Sequence, residues 1–158
     1  MSNAPRRRSR YAYRFISVWE LPAPPAVTYR ALARLEEYPR WWPEVRAVRR
    51  LDEHSAEVRI RSVLPFELRT VAREVRQDPA AGVLEAALSG DMDGFTRWTV
   101  TTRGDGASVA VFREEVVVRR PLLRRLAVPG RPFFRANHAL MMRRGQVGLR
   151  AHLARGAR

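Results

Sequence analysis

The stretch Arg131-Pro132-Phe133-Phe134-Arg135-Ala136-Asn137-His138, running on through Met141-Met142, Gly145, Gly148-Leu149 and His152, decides the fold. At about 100° per residue it places Phe134, His138, Met141, Gly145, Leu149 and His152 on one helical face, with Arg143, Gln146 and Arg150 opposite. A long amphipathic helix must cover its apolar side. The chain before it offers strands: residues 56–64, 66–77, 83–89, 95–103 and 108–119 read as β. Pro65, Asp78-Pro79, Gly90 to Gly94 and Gly104-Asp105-Gly106 punctuate them. Connections this short make an antiparallel meander.

Further out, Tyr11, Tyr13, Phe15, Ser17, Trp19 and Leu21 alternate with Arg14, Ile16, Val18 and Glu20, so a first strand carries an aromatic face. Pro22, Pro24 and Pro25 end it and preset a helix start. Val27, Ala31, Leu32 and Leu35 recur at helical spacing until Tyr38-Pro39 breaks the pattern. Trp41-Trp42-Pro43 then leads into Val45, Val48 and Leu51, whose spacing of three predicts a second short helix. The expected architecture is α+β: one curved antiparallel sheet of six to seven strands wrapped around a long C-terminal helix, with two short helices after the first strand. The space between sheet and helix is then available as a cavity.

Composition narrows the chemistry. The 158 residues carry 30 basic and 16 acidic side chains, a net charge of +14, and no Cys; every basic residue is Arg. Without Lys there is no Walker A loop and no lysine Schiff base. Without Cys there is no disulfide, thiolate metal site or cysteine nucleophile, which fits a reducing cytoplasm. Four Arg and no acid fall in residues 1–10, and eleven Arg and no acid in residues 116–158, so the span between them is nearly neutral. Residues 1–10 are expected to be a basic, disordered arm and residues 11–158 a single domain. Arg6 to Arg8 lack the apolar run a secretory leader needs, and no stretch is apolar enough to span a membrane.

The chain resembles the START-like, SRPBCC or polyketide cyclase/dehydrase superfamily in its bacterial branch. The segments that carry the resemblance are Tyr13-Arg14-Phe15 through Trp19 into Leu21-Pro22-Ala23-Pro24, Tyr38-Pro39-Arg40-Trp41-Trp42-Pro43, and Leu64-Pro65-Phe66. Gly90-Asp91-Met92-Asp93-Gly94 with Trp98, and Arg131 to His138 with Gly145 and Gly148-Leu149, complete them. The resemblance implies a helix-grip fold with a deep apolar cavity between the sheet and the last helix. It does not imply one reaction, since the superfamily includes lipid-transfer domains, hormone- and allergen-type binding proteins, and aromatase/cyclases.

Period-2 reading selects the cavity face. Phe66, Leu68, Thr70, Ala72 and Glu74 share one side of their strand, followed by Leu84, Ala86 and Leu88, then Thr96, Trp98 and Val100. On the last strand Ala110, Phe112, Glu114, Val116 and Val118 are taken as inward, although Val109, Val111 and Val117 allow the opposite phase. With Trp19, Trp42, Phe134, Asn137, His138 and Met141, this defines the expected ligand-binding set: Phe66, Leu68, Thr70, Ala72, Leu84, Leu88, Trp98 and Phe112 complete it. Glu74, Glu114 and His138 are the candidate acid/base groups, because a carboxyl or imidazole in an apolar wall can move protons on an enolisable ketone. The alternatives are that the carboxylates pair with an Arg such as Arg76 or Arg113 or reach solvent at the mouth, and that His138 is structural or Asn137 ties the helix to a loop. The Gly90 to Gly94 segment reads as a flexible gate. One of Trp41 and Trp42 can lid the cavity while the other packs in the core.

No metal or other cofactor is expected. His138 and His152 share a face but lie about 21 Å apart along the helix, and Asp91-x-Asp93-Gly94 lacks the calcium-loop spacing. The expected function is binding of a small hydrophobic molecule, lipid or polyketide-like. The alternative is a polyketide cyclase, aromatase or dehydratase, for which an acidic acyl carrier protein would suit the basic C-terminal segment. Nucleic acid is disfavoured as a partner, since no aromatic residues interleave with Arg in a recognisable module. The oligomeric state is left open, a homodimer included.

Overall fold

A computed structural model describes residues 9–157. Strand β1 (Ala12–Leu21) is followed by helix α1 (Pro25–Ala33), a 3₁₀ turn (Leu35–Glu37) and helix α2 (Tyr38–Trp41). Six strands come next: β2 (Val45–Arg50), β3 (Ser55–Ile60), β4 (Leu68–Asp78), β5 (Val83–Gly90), β6 (Met92–Thr102) and β7 (Ser108–Val118). Helices α3 (Pro121–Ala127) and α4 (Arg131–Gly156) close the chain. The seven strands form one antiparallel sheet in the order β1-β7-β6-β5-β4-β3-β2. This is the α+β helix-grip fold. Residues 1–8 of the expected basic arm lie outside the described residues.

The strand faces follow the pleat. On β7, Ser108, Ala110, Phe112, Glu114, Val116 and Val118 are all buried while their neighbours are not, which settles the phase that Val109, Val111 and Val117 left open. On β1, Tyr13, Trp19 and Leu21 are buried while Arg14, Ile16, Val18 and Glu20 are exposed.

Three expectations change. Val45 to Leu51 contains strand β2 and no helix. A register shift between Val45 and Ala47 inserts one residue against β3, so Val45 and Val48 both turn inward at a spacing of three. That spacing imitated a helix. Pro39 does not end a long pattern but sits in the first turn of α2, where a missing N–H costs nothing.

The Gly90 to Gly94 segment is not a flexible gate. Only Asp91 separates β5 from β6, and Asp91 is fixed on three sides. Its carboxylate accepts from the Arg69 amide (2.9 Å), its amide donates to the Arg69 carbonyl (3.1 Å), and its carbonyl accepts from the Arg119 amide (2.9 Å). Gly94 lies inside β6 at φ +157°, where a Cβ would meet the Glu115 carbonyl oxygen at 1.9 Å.

Helix α4 is seated on tryptophans. Trp19 (1 % exposed), Trp41, Trp42 and Trp98 form one cluster, with Trp19 edge-on to the other three at 4.7 to 6.3 Å. Above it come Gly145 and Gly148, flanked by buried Met142, Leu149 and Leu153. The Trp42 indole N–H donates to the Met141 carbonyl of α4 at 3.0 Å. Thus both Trp41 and Trp42 are 4 % exposed core residues.

A second tie joins the α2–β2 connection to α4 through charge. Glu44 is 3 % exposed and its Oε1 lies 2.9 Å from Arg144, while Oε2 has no hydrogen-bond partner. Arg144→Met is expected to cost about 1–3 kcal/mol by leaving that carboxylate buried and uncompensated. The figure stays below that of a fully buried pair because the Arg144 side chain is half exposed. Adding Glu44→Gln should recover part of the loss, and urea unfolding of the single and double variants checks both.

Candidate functional site

Two cavities lie between the sheet and α4. The larger, about 210 Å³, is lined from the sheet by Thr70, Ala72, Leu84, Ala86, Leu88, Thr96, Trp98 and Phe112, and from the helical side by Leu32, Tyr38, Trp42 and Met141. Its outer end is polar, with Arg50, His54, Glu74, Arg76 and Gln77. The smaller, about 120 Å³, is lined by Tyr13, Phe15, Leu64, Phe66, Leu68, Val116, Leu123, Phe134, Asn137 and His138. Ile60, Met92, Glu114 and Met141 line both and form the partition between them.

At the partition a carboxyl and an imidazole side chain meet. Glu114, 8 % exposed on β7, places Oε2 3.3 Å from Nε2 of His138 on α4. The imidazole stacks on Phe15 with ring centroids 3.7 Å apart and planes within 8°. Phe112 lies on the sheet beside it, 6.3 Å away. Two of the three candidate acid/base residues, 24 positions apart in sequence, are therefore one contact in the fold. Glu114 is held inward by the β7 pleat, and His138 by the α4 face that also carries Phe134 and Met141.

Glu74 takes the other course. It stands on the exposed part of β4 at the larger cavity's mouth, accepts from the Gln77 side chain at 2.9 Å, and lies 4.0 Å from His54. Glu74 keeps the inward phase of Thr70 and Ala72, opposite Ala86, but it stands where β4 becomes exposed, and the register shift follows directly after it, between Glu74 and Arg76. Glu74 is accordingly a solvent-reaching mouth residue and no partner of Glu114.

Of the expected ligand-contact set, Trp42, Phe66, Leu68, Thr70, Ala72, Leu84, Leu88, Trp98, Phe112, Phe134, Asn137, His138 and Met141 line one cavity or the other. Trp19 lines neither: Trp41, Trp42 and Trp98 enclose it, and it supports the wall from behind. Sequence reasoning missed Tyr13, Phe15, Tyr38, His54 and Met92. Phe15 was legible as part of the aromatic face of β1; its stack on His138 was not. His54 is brought to the mouth by the β2–β3 hairpin.

The phenols are already committed. Tyr38 donates to the Leu32 carbonyl at 2.8 Å, and burial pushes its pKa well above the ordinary tyrosine value. Tyr13 donates to the Ala127 carbonyl, and burial raises its pKa against the lowering pull of Arg131 and Arg135. Both stay neutral and cannot serve as bases, which leaves the Glu114–His138 pair for proton chemistry between the cavities and Glu74 with His54 at the larger cavity's mouth. Asn137 Oδ1 adds a buried acceptor without a partner in the smaller cavity. Among the described residues, no group of three or more His, Asp and Glu side chains could hold a metal ion.

A seven-stranded sheet gripping one long helix over an apolar cavity defines the class of helix-grip cavity proteins. Within it, the chain belongs to the family described as polyketide cyclase/dehydrase and lipid transport, whose model matches residues 12–154. No curated protein matches the sequence. Among solved structures, the Zhui aromatase/cyclase from Streptomyces sp. R1128 is similar at 15% identity and a TM-score of 0.78, covering 93% of this chain and 96% of its own. A START superfamily protein from Mycobacterium smegmatis matches at 15% identity, TM-score 0.70, covering 90% and 97%. The major latex-like protein 151 of Panax ginseng matches at 9% identity, TM-score 0.68, also covering 90% and 97%. At these identities the likeness establishes the fold alone.

Proposed function

We propose that the protein binds a small hydrophobic molecule, lipid or polyketide-like, across the two cavities, with an oxygen of the ligand at the Glu114–His138 pair. The observation that carries this reading is a mostly apolar enclosure with one buried carboxyl–imidazole contact at its partition. Such a site gains affinity from apolar burial and orientation from one polar anchor. The family's description, which includes lipid transport, supports the same reading.

The 3.3 Å contact also favours a second reading, a polyketide cyclase or dehydratase. There Glu114 would hold the imidazole in one orientation while His138 exchanges a proton with an enolisable carbonyl compound. The aromatase/cyclase likeness and the arginine-rich segment 116–158, suited to an acidic acyl carrier, support it. Ligand binding requires only the enclosure, so it comes first.

The test is extraction of purified protein followed by mass spectrometry, with Ala72→Phe as the comparison. Phe at this position projects into the larger cavity without adding charge. Wild type is expected to release a small apolar molecule that the folded variant lacks. Identical extracts from the two proteins, or wild type empty and showing no thermal shift across fatty acids, sterols and aromatic polyketides, would overturn the reading.

A further inference from the structure

We infer that the corner formed by α3 and the first turns of α4 is a docking surface for anionic lipid bilayers. Helix α3 turns Leu123 and Ala127 inward, 4 % and 0 % exposed, yet leaves Leu122 at 52 % and Leu126 at 43 %. One turn apart, these two form an outer apolar ridge. Val128 at 49 % and Phe133 at 55 % continue it across the turn into α4. Contiguous apolar surface rimmed by polar residues marks an interaction site.

The charge around the ridge has one sign. Arg124, Arg125 and Arg135 are exposed, and among the described residues none of them forms an ion pair. The nearby acids are taken: Asp93 lies 2.7 Å from Arg119 and Asp91 3.8 Å from Arg120. No acid occurs anywhere in residues 116–158. Elsewhere on α4, Arg144 is tied to Glu44 and Arg150 to the Glu20 carbonyl at 2.8 Å, while Arg143 and Arg155 are exposed and form no ion pair among the described residues. Arg124 lies over the Tyr11 ring at 4.4 Å, and Leu and Phe protruding beside guanidinium groups without a carboxylate partner match the headgroup region of an anionic bilayer. There the apolar side chains enter the acyl boundary and each arginine meets lipid phosphate. A nucleic acid would pair the arginines and leave the ridge in water.

The placement has a consequence. Leu123, on the inner side of the same seven-residue helix, lines the smaller cavity, so docking would bring that cavity's wall against the membrane. The inference goes beyond cavity binding and does not depend on what occupies either cavity.

Full-length protein is to be floated with vesicles of phosphatidylcholine alone or with about one-third phosphatidylglycerol, at low and high salt. Wild type is expected to float with the anionic vesicles only, and less at high salt. Leu122→Glu with Leu126→Glu, and Arg125→Glu with Arg135→Glu, should each lower the bound fraction at least about tenfold. The charge-matched control Arg143→Glu with Arg155→Glu, elsewhere on α4, should bind as wild type. Equal loss in the control overturns the proposal, as does wild type failing to float at low salt. So does loss on arginine reversal alone, which would mean electrostatic adsorption without entry of the ridge, or a solution dimer by light scattering that these variants split. Because the chain has no cysteine, Leu126→Cys carrying a polarity-sensitive dye reads insertion without an acidic substitution. Its emission should shift blue on anionic vesicles while that of Val147→Cys does not, and equal responses overturn the proposal.

Discussion

Gly148→Ala is expected to destabilise the protein by about 2–4 kcal/mol, the helix-propensity gain of nearly 1 kcal/mol notwithstanding. A Cβ at this position would stand 1.7 Å from the Trp41 carbonyl oxygen and 2.8 Å from its carbon. These are backbone atoms at the end of α2, so no side-chain rotation relieves the overlap. Helix α4 must instead lift from its seat, and Leu149, fully buried at 0 %, lifts with it. For a chain of this length the loss corresponds to a fall of roughly 5–15 °C in melting temperature. Gly156→Ala serves as the control: nothing lies within 4 Å of its Cβ position, and its stability should stay within about 1 kcal/mol of wild type. Calorimetry of the two variants decides whether close approach, or helix propensity alone, selects glycine at position 148. Equal melting temperatures would mean that α4 is not held against α2 as described.

The second large effect belongs to the Glu114–His138 contact. Glu114→Gln and His138→Ala are each expected to weaken binding of an oxygen-bearing apolar ligand by about 10–100-fold, the worth of one hydrogen bond to a charged group. The double variant should be no weaker than the worse single one, because either change already breaks the anchor. If the protein turns over an enolisable substrate, the same variants should lower the rate by about 10²–10⁴-fold, again without adding. Additive losses would mean that the two side chains act separately. His138→Ala should also cost stability, since it leaves a carboxylate that is 8 % exposed without its partner, whereas Glu114→Gln keeps the volume and a polar atom in place. Titration calorimetry beside thermal unfolding separates the two roles.

Much of the fold and part of the site could be read in advance. Alternation along β5, β6 and β7 depends only on the pleat of each strand, and there the inward residues were legible as far as Glu114 and Val118. The α4 face was legible for the same kind of reason, since its period is a property of the helix itself. Reading failed at a bulge. The irregularity at Val45 and Ala47 made a strand look helical, whereas Glu74 kept its inward phase opposite Ala86 and reaches solvent because β4 is exposed there. A bulge exists only relative to the neighbouring strand, so one strand's sequence does not reveal it.

The amino-acid sequence by itself determined the first strand and its aromatic face, the meander from β3 to β7, the long last helix and the absence of thiol and lysine chemistry. Those features depend on local stereochemistry or on composition, and both are complete within a few residues or a count. Only the tertiary structure decided that His138 meets Glu114 at 3.3 Å, that two cavities share one partition, and that Gly148 lies under the Trp41 carbonyl. Each of these joins residues far apart in the chain. Their separation is set by how α4 settles on the sheet and on α2, a packing outcome that no periodicity within either element encodes.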